Sequence, residues 1–313
     1  MTALCIYHRG CADGFGAAWA VHHALGDQVA FHPGVYGAPP PNLTDRDVIV
    51  VDFSYKRPMM EELCRAATSL LVLDHHKTAA AELDGLEQWA AGQSITATVT
   101  VQIDMGKSGA VLAWEHFHPG KPIPRLLQHV QDRDLWRFAL PGTREILACV
   151  FSHPFDFDRW DRLAEEIERD PTAILAEGAA IERKHHKDIA ELLGTTTRFM
   201  TIGGYRVPIA NLPYTLASDA GSALCRGDSS GIVPPFAGIY YDRAGGRTFS
   251  LRSSGGFDVS AIARKYGGGG HKNAAGFTMP LGWEGDCDIT QPYADVRPYS
   301  RIIDGSFDGT TPS

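Results

Sequence analysis

The sequence predicts two α/β lobes joined by a helical connector, and three observations carry that reading. Over the first 135 or so residues, short apolar runs alternate with helix-like stretches. A charge-rich, wholly helical segment follows, and β character returns after Gly203. Strands alternating with helices imply a parallel sheet covered on both faces. The boundaries this gives are 1–155 for the first lobe, 156–196 for a helical linker, 197–285 for a smaller second lobe and 286–313 for an irregular tail.

The elements follow in order. "ALCIYH" (3–8), "DVIVVDFS" (47–54) and "LLVLDHH" (70–76) have the continuous apolar character of strands buried on both faces. Between them "GFGAAWAVHHALG" and "RPMMEELCRAA" read as helices, the second opened by Pro58, whose fixed φ suits a first turn. Ser108 is placed to cap "GAVLAWEHF", and Pro124 to open "RLLQHVQDRDLW". Trp19, Trp114 and Trp136 fall in these apolar helical patterns and are expected in the core. The segment 156–194 is helical, broken at Pro171, with "KHHK" (184–187) on a solvated face. "YRVPIAN", "FAGIYYD" and "RTFSLRSS" supply strands of the second lobe, with "TLASDAGSALCRG" as a helix between the first two.

Composition narrows the function classes. Hydrophobic residues make up 44% of the 313 positions and charged residues 21%, a balance suited to a globular chain. No apolar stretch approaches the roughly 20 residues that span a bilayer, which argues against a membrane partner. The start, "MTALCIYHRG", lacks a basic region followed by an apolar core, and the six cysteines form no CxxC pair. A cytoplasmic location is therefore expected. The net charge of −8 and the lack of a long basic run argue against a protein that coats long duplex nucleic acid. A small phosphate-bearing substrate or short oligomer fits better. The oligomeric state stays open, a homodimer included.

In an open parallel sheet, ligands gather beyond the carboxyl ends of the strands. This chain puts acids and imidazoles there repeatedly. The first strand runs into His8 and then Asp13; the second ends in Asp52; the third ends in Asp74, His75 and His76. A further acid, Asp132, follows an apolar helical stretch in "VQDRDLW". Singly, such residues are ordinary caps, turn formers or satisfied polar groups. Jointly they place charge where the sheet is apolar, which a metal site explains better. Oxygen and imidazole donors suit Mn2+, with Co2+ or Mg2+ as substitutes, better than a thiolate-rich zinc site.

"HRGCADGFGAA", "VVDFS", "LDHHK" and "VQDRDLW" resemble the four successive motifs of the DHH phosphoesterase family. "LRSS" (251–254) followed by "GGGGHKNAAGF" (267–277) resembles the family's DHH-associated C-terminal domain. The resemblance covers about 280 residues and implies a metal-dependent hydrolase with a substrate-gripping second lobe. It implies Asp52 as the carboxylate bridging two ions, Asp13, His75 and Asp132 around one ion, and His8 on the other. His76 would face the substrate phosphate or leaving group, and Asp74 would orient an imidazole. One departure stands out. The family's first motif carries two acids one residue apart, and here Cys11 occupies the place of the first, with one extra residue after His8. Either the thiol joins His8 and Asp52 as a soft ligand, or it is a bystander and that ion is held weakly.

In the second lobe, glycines 267–270 are costly in any regular element and would let N–H groups of Gly268, Gly269 and Gly270 approach phosphate oxygens. His271, Arg252, Ser253 and Ser254 would add donors. The expected activity is hydrolysis of short nucleotide phosphoesters by metal-activated water. Polyphosphate hydrolysis, or a catalytically weak nucleotide sensor, are the alternatives.

Overall fold

The computed structural model describes residues 3–227 and 233–286, in two compact units that divide at Glu182 and Arg183. The first unit holds strands β1 (Ala3–His8), β2 (Val29–Gly34), β3 (Asp47–Val51), β4 (Ser69–Asp74) and β5 (Thr98–Ile103). They form a parallel sheet in the order β2-β1-β3-β4-β5. Its helices are α1 (Ala12–Leu25), α2 (Arg57–Ala66), α3 (Lys77–Leu83), α4 (Leu86–Gly92), α5 (Gly109–Phe117), α6 (Arg125–Asp134), α7 (Thr143–Phe151) and α8 (Phe157–Arg169). The long helix α9 (Thr172–Thr196) then leads into the second unit.

Alternate strand residues feed two cores, as the period of two requires. Cys5, Val51 and Leu73 pack with Trp19, Trp114, Leu127 and Trp160 on one face. Leu4, Ile6, Val50 and Val72 pack with Met60, Leu63 and Leu86 on the other. This places α8 differently from the expected linker: Trp160, Leu163 and Ile167 belong to the first core, so α8 is part of the first lobe. An amphipathic helix buries its apolar stripe wherever a core offers one, and charge richness on its outer face hid that stripe.

Register positions the site. Tyr7 lies opposite Val51, and Val51 opposite Leu73. The next residues along, His8, Asp52 and Asp74, therefore come level at the carboxyl edge. Strand order reverses at β1, so the crevice between β1 and β3 is the switch point where such sheets bind ligands.

The second unit is a mixed sheet of β6 (Thr197–Ile202), β7 (Tyr205–Asn211), β8 (Ala237–Arg243), β9 (Gly246–Arg252), β10 (Gly269–Gly270) and β11 (Ala274–Met279), in the order β10-β11-β9-β8-β7-β6. Helix α10 (Ala217–Cys225) packs with one of its cores and α11 (Val259–Lys265) with the other. Within "KHHK", His185 is not simply solvated, since its Nε2 lies 3.1 Å from the Asp219 carboxylate of α10. The expected tail lies, beyond Asp286, outside the described residues. Among the described residues no helix is long and apolar enough to cross a membrane.

Candidate metal centre

The edge formed by His8, Asp52 and Asp74 is completed from the turns after it. Asp52 ends β3 with φ 52°, a left-handed backbone that an aspartate adopts at a cost. Its N–H still continues the ladder to Leu73 O at 2.9 Å, so the strand's pairing holds the strained residue in place. Asp13 sits in the first turn of α1, and its carboxylate accepts from Gly109 N at 2.6 Å and Ala110 N at 3.0 Å. Those are the first N–H groups of α5, which have no partner within their own helix. Ser108 caps α5 as expected, accepting from Val111 N. Gly109 has to be glycine, because a Cβ there would fall 2.5 Å from Asp52 Cβ.

His75 Nε2 stands among three carboxylates. It lies 3.0 Å from Asp52 Oδ1, 3.4 Å from Asp13 Oδ2 and 3.7 Å from Asp134 Oδ2. His8 Nδ1 lies 3.6 Å from the other oxygen of Asp52. Two of the donor groups at this edge are His8–Cys11–Asp52 and Asp13–Asp52–His75, the donor atoms of each within 4.8 Å of one another. Asp52 belongs to both. Asp13, Asp52 and His75 are each only 1% exposed.

Beside them, Asp74 Oδ1 accepts from His75 N at 2.7 Å, His76 N at 3.1 Å and His76 Nδ1 at 2.7 Å. Asp74 thus fixes both the turn and the His76 tautomer, leaving Nε2 as the nitrogen on the ring's other side.

The "DRD" acids divide differently from expectation. Asp132 is buried, and its carboxylate accepts from Ala139 N at 2.8 Å, Leu140 N at 3.0 Å and the Thr143 hydroxyl at 2.6 Å. Its oxygens thus hold the loop after α6, while Asp134 reaches the cluster. On a helix, residues two apart point to nearly opposite sides. Leu127, Val130 and Asp134 share one side of α6 at i, i+3 and i+7, but Leu126, His129 and Asp132 are buried on another, so spacing alone does not choose between the acids. That loop also corrects Trp136. Trp19 and Trp114 are buried as expected, but Trp136 is 37% exposed, with φ 56°.

Electrostatics set the cluster apart from an ordinary core. Burial raises the Asp13 carboxyl well above the carboxylate range, and the charges of Asp52 and Asp134 push it further. Burial and Asp52 raise Asp134 likewise. Asp52 is the exception: burial would raise it, but the hydrogen bond of His75 and the nearby imidazoles of His8 and His76 hold it well below the usual range. Burial alone would lower His75, yet the bond to Asp52 and the charges of Asp13 and Asp134 drive it up to about 10. His76 is likewise depressed by burial and then pushed up to about 9 by Asp74. The Cys11 thiol is raised by burial first and then by Asp52, Asp134 and Asp13.

These acids compete for too little positive charge. His8 Nδ1, Asp52 Oδ2 and Asp134 Oδ2 are buried without a hydrogen-bond partner. Buried lone pairs of this kind, converging from acids and imidazoles, fit a divalent cation.

In the second lobe the expected phosphate-gripping residues have work within the lobe. The Arg252 guanidinium donates to the Ser218 hydroxyl at 2.7 Å, the Ser250 hydroxyl at 3.0 Å and Leu251 O at 2.9 Å. The Ser253 hydroxyl donates to Phe257 O at 2.8 Å. His271 N donates to Ala274 O across the turn between β10 and β11. Gly269 and Gly270 form β10, and Gly268 abuts the Gly276 carbonyl so closely that a Cβ would collide with it. Close strand approach is thus a sufficient reason for Gly268 and Gly270.

Comparison with known proteins adds four findings. Residues 232–286 match the model of the DHHA1 domain. Uncharacterized protein R106 of Acanthamoeba polyphaga mimivirus is 30% identical over 323 aligned positions, covering 92% of this chain and 72% of that protein. Among solved structures, the DHH domain of a member of the s1p family of ribosomal proteins superposes with a TM-score of 0.54 at 13% identity, over 89% of this chain and 83% of that one. A pGpG-specific phosphodiesterase, PggH of Vibrio cholerae, aligns at 14% identity over 90% of this chain and 94% of that one, with a TM-score of 0.41.

Proposed function

We propose that this chain, whose second lobe matches the DHHA1 domain and whose motifs resemble those of the DHH phosphoesterase family, is a manganese-dependent hydrolase of short nucleotide phosphoesters. The observation that carries this reading is the sharing of Asp52 between two donor groups while one of its buried oxygens has no hydrogen-bond partner. His8, Cys11 and Asp52 would hold one ion; Asp13, Asp52, His75 and Asp134 would hold the other. Asp134 takes the role first expected of Asp132. When bound, such ions make a water nucleophilic at neutral pH and neutralise charge on the phosphoryl group.

The chain's own residues supply the rest. The amino end of α5 fixes Asp13 from behind, so both oxygens keep their orientation. Asp74 holds the Nδ1 proton of His76, so His76 Nε2 can carry a second proton and pass it to the leaving oxygen. Arg252 and His271 are proposed to bind a substrate phosphate, Arg252 from a guanidinium already braced by two serines.

The deciding experiment assays dinucleotides, cyclic dinucleotides, adenosine bisphosphate and polyphosphate with manganese, cobalt and magnesium. Manganese-stimulated cleavage of a nucleotide, abolished in folded Asp52→Asn and His75→Ala proteins, is the expected result. Full activity in Asp52→Asn would sink the shared-carboxylate reading, and turnover confined to polyphosphate would reassign the substrate.

A further inference from the structure

The rim of the metal centre is aromatic where a site for phosphate alone would be polar. Tyr36 follows β2, packs its ring against Phe53 at 4.8 Å and meets His8 edge-on at 5.2 Å, yet it is 53% exposed. Trp136 follows Asp134 by two residues, which keeps its backbone within about 7 Å of that acid's. Both it and Phe138 adopt left-handed backbone, with φ of 56° and 49°. Bulky residues adopt that conformation only where their surroundings force it.

Here the forcing is explicit. Asp132 O accepts from Arg137 N and Phe138 N, while the Asp132 carboxylate accepts from Ala139 N and Leu140 N. Arg137 Nη2 ties the loop to Gly106 O at 2.8 Å. Arg144 lies over the Phe138 ring at 3.8 Å and 5.9 Å from that of Trp136. The loop is therefore built rigid while Trp136 keeps more than a third of its surface exposed.

Within the loop the Trp136 ring meets that of Phe138 edge-on at 4.9 Å, and the residue stays 37% exposed. Phosphate is recognised by charge and by N–H or O–H donors, to which a flat apolar face adds nothing. A nucleobase is itself a flat π-system that gains from stacking on such faces. We propose that Tyr36, beside His8, and Trp136, beside Asp134, are stacking platforms for the bases flanking the scissile phosphate. They would select nucleobase-bearing substrates over inorganic phosphate chains. This rests on the phosphoesterase reading and names the substrate feature that the same centre recognises.

The test compares a dinucleotide with its abasic counterpart in the manganese-loaded full-length protein. In Tyr36→Leu and Trp136→Leu, the ratio of kcat/KM for the dinucleotide to that for the abasic compound is expected to fall about ten- to a hundredfold, the loss of one stacked base. Trp136→Phe should recover most of the ratio, which a role confined to loop packing would not explain. A second arm needs no turnover and covers the case in which the leucine variants fail to fold. An uncleavable methylphosphonate dinucleotide should quench the indole fluorescence of the wild-type protein and tripolyphosphate should not, with the quench lost in Trp136→Phe. A ratio unchanged in both leucine variants, or a bound dinucleotide that leaves the fluorescence unaltered, overturns the platforms. A wild-type protein that stacks the dinucleotide yet cleaves no phosphoester overturns the hydrolase reading instead.

Discussion

Asp132 and Asp134 differ by two positions and should fail in opposite ways. Removing Asp132 strands two half-buried N–H groups and takes the acceptor from a buried hydroxyl. Asp132→Ala should therefore lower stability by about 1–3 kcal/mol, read by urea unfolding of the metal-free protein. Asp134→Asn removes a carboxylate that burial and Asp52 already hold in an unfavourable charged state. The metal-free variant should melt no lower than wild type, and calorimetric titration should show weakened manganese binding. Protonation adds a second expectation. His75 and His76 titrate near 6.5 when unfolded, against about 10 and about 9 when folded. Their contribution is complete below pH 6.5 and is lost as pH rises through the folded values. Asp13 and Asp134, with raised pKa, also favour the folded form on mild acidification. Asp52 and Asp74, with lowered pKa, act oppositely but only below the ordinary carboxylate range. The Tm of the metal-free protein should thus fall between pH 6.5 and 9. Manganese should flatten that fall; a Tm rising with pH in chelator would contradict these charge assignments.

At the scale of elements, α5 approaches the end of β3 with no room for a further carbon. Gly109→Ala would drive a methyl into Asp52 Cβ, at a cost of about 1–3 kcal/mol for overpacking. Because the displaced residue is Asp52, turnover should drop at least tenfold while the fold survives. Ser108→Ala, one residue earlier, removes only a cap worth about 1 kcal/mol and should leave turnover near wild type. Parallel melting curves and manganese-dependent rates of the two variants check this. The sequence made the central strands legible because burial on both faces demands continuous apolar runs, as in "DVIVV" and "SLLVLD". It concealed β2 and β5, which lie at the sheet's edges. "TVTVQI" is only half-buried, and "VAFHPG" contains a proline that an edge tolerates. Within the centre, His8, Asp13, Asp52 and His75 were readable because strand ends and first turns fix their direction. The choice between Asp132 and Asp134 was not, since α6 buries residues on more than one side and only the fold says which side meets the sheet.

For the molecule as a whole, a net charge of −8 requires that attraction for phosphate be local. If about two phosphates of a short substrate are neutralised, KM should rise only about sevenfold between 50 and 200 mM salt, far less than for proteins that track a long backbone. Long duplex DNA added to the assay should not compete. Steady-state rates across that salt range check both, and a slope steep enough for six or more phosphates would reveal an extended groove. The parallel sheet has one more consequence, in the order of events during folding. The ligands run from position 8 to position 134, so no short stretch of the chain can hold an ion alone. The centre closes only once β1, β3, β4, α5 and α6 have found one another, which places ion binding after most of the lobe's topology is set. Contacts made that late govern how fast a protein comes apart, not how fast it assembles. A bound ion would be a lock on a finished lobe, slowing its unfolding more than it speeds its folding.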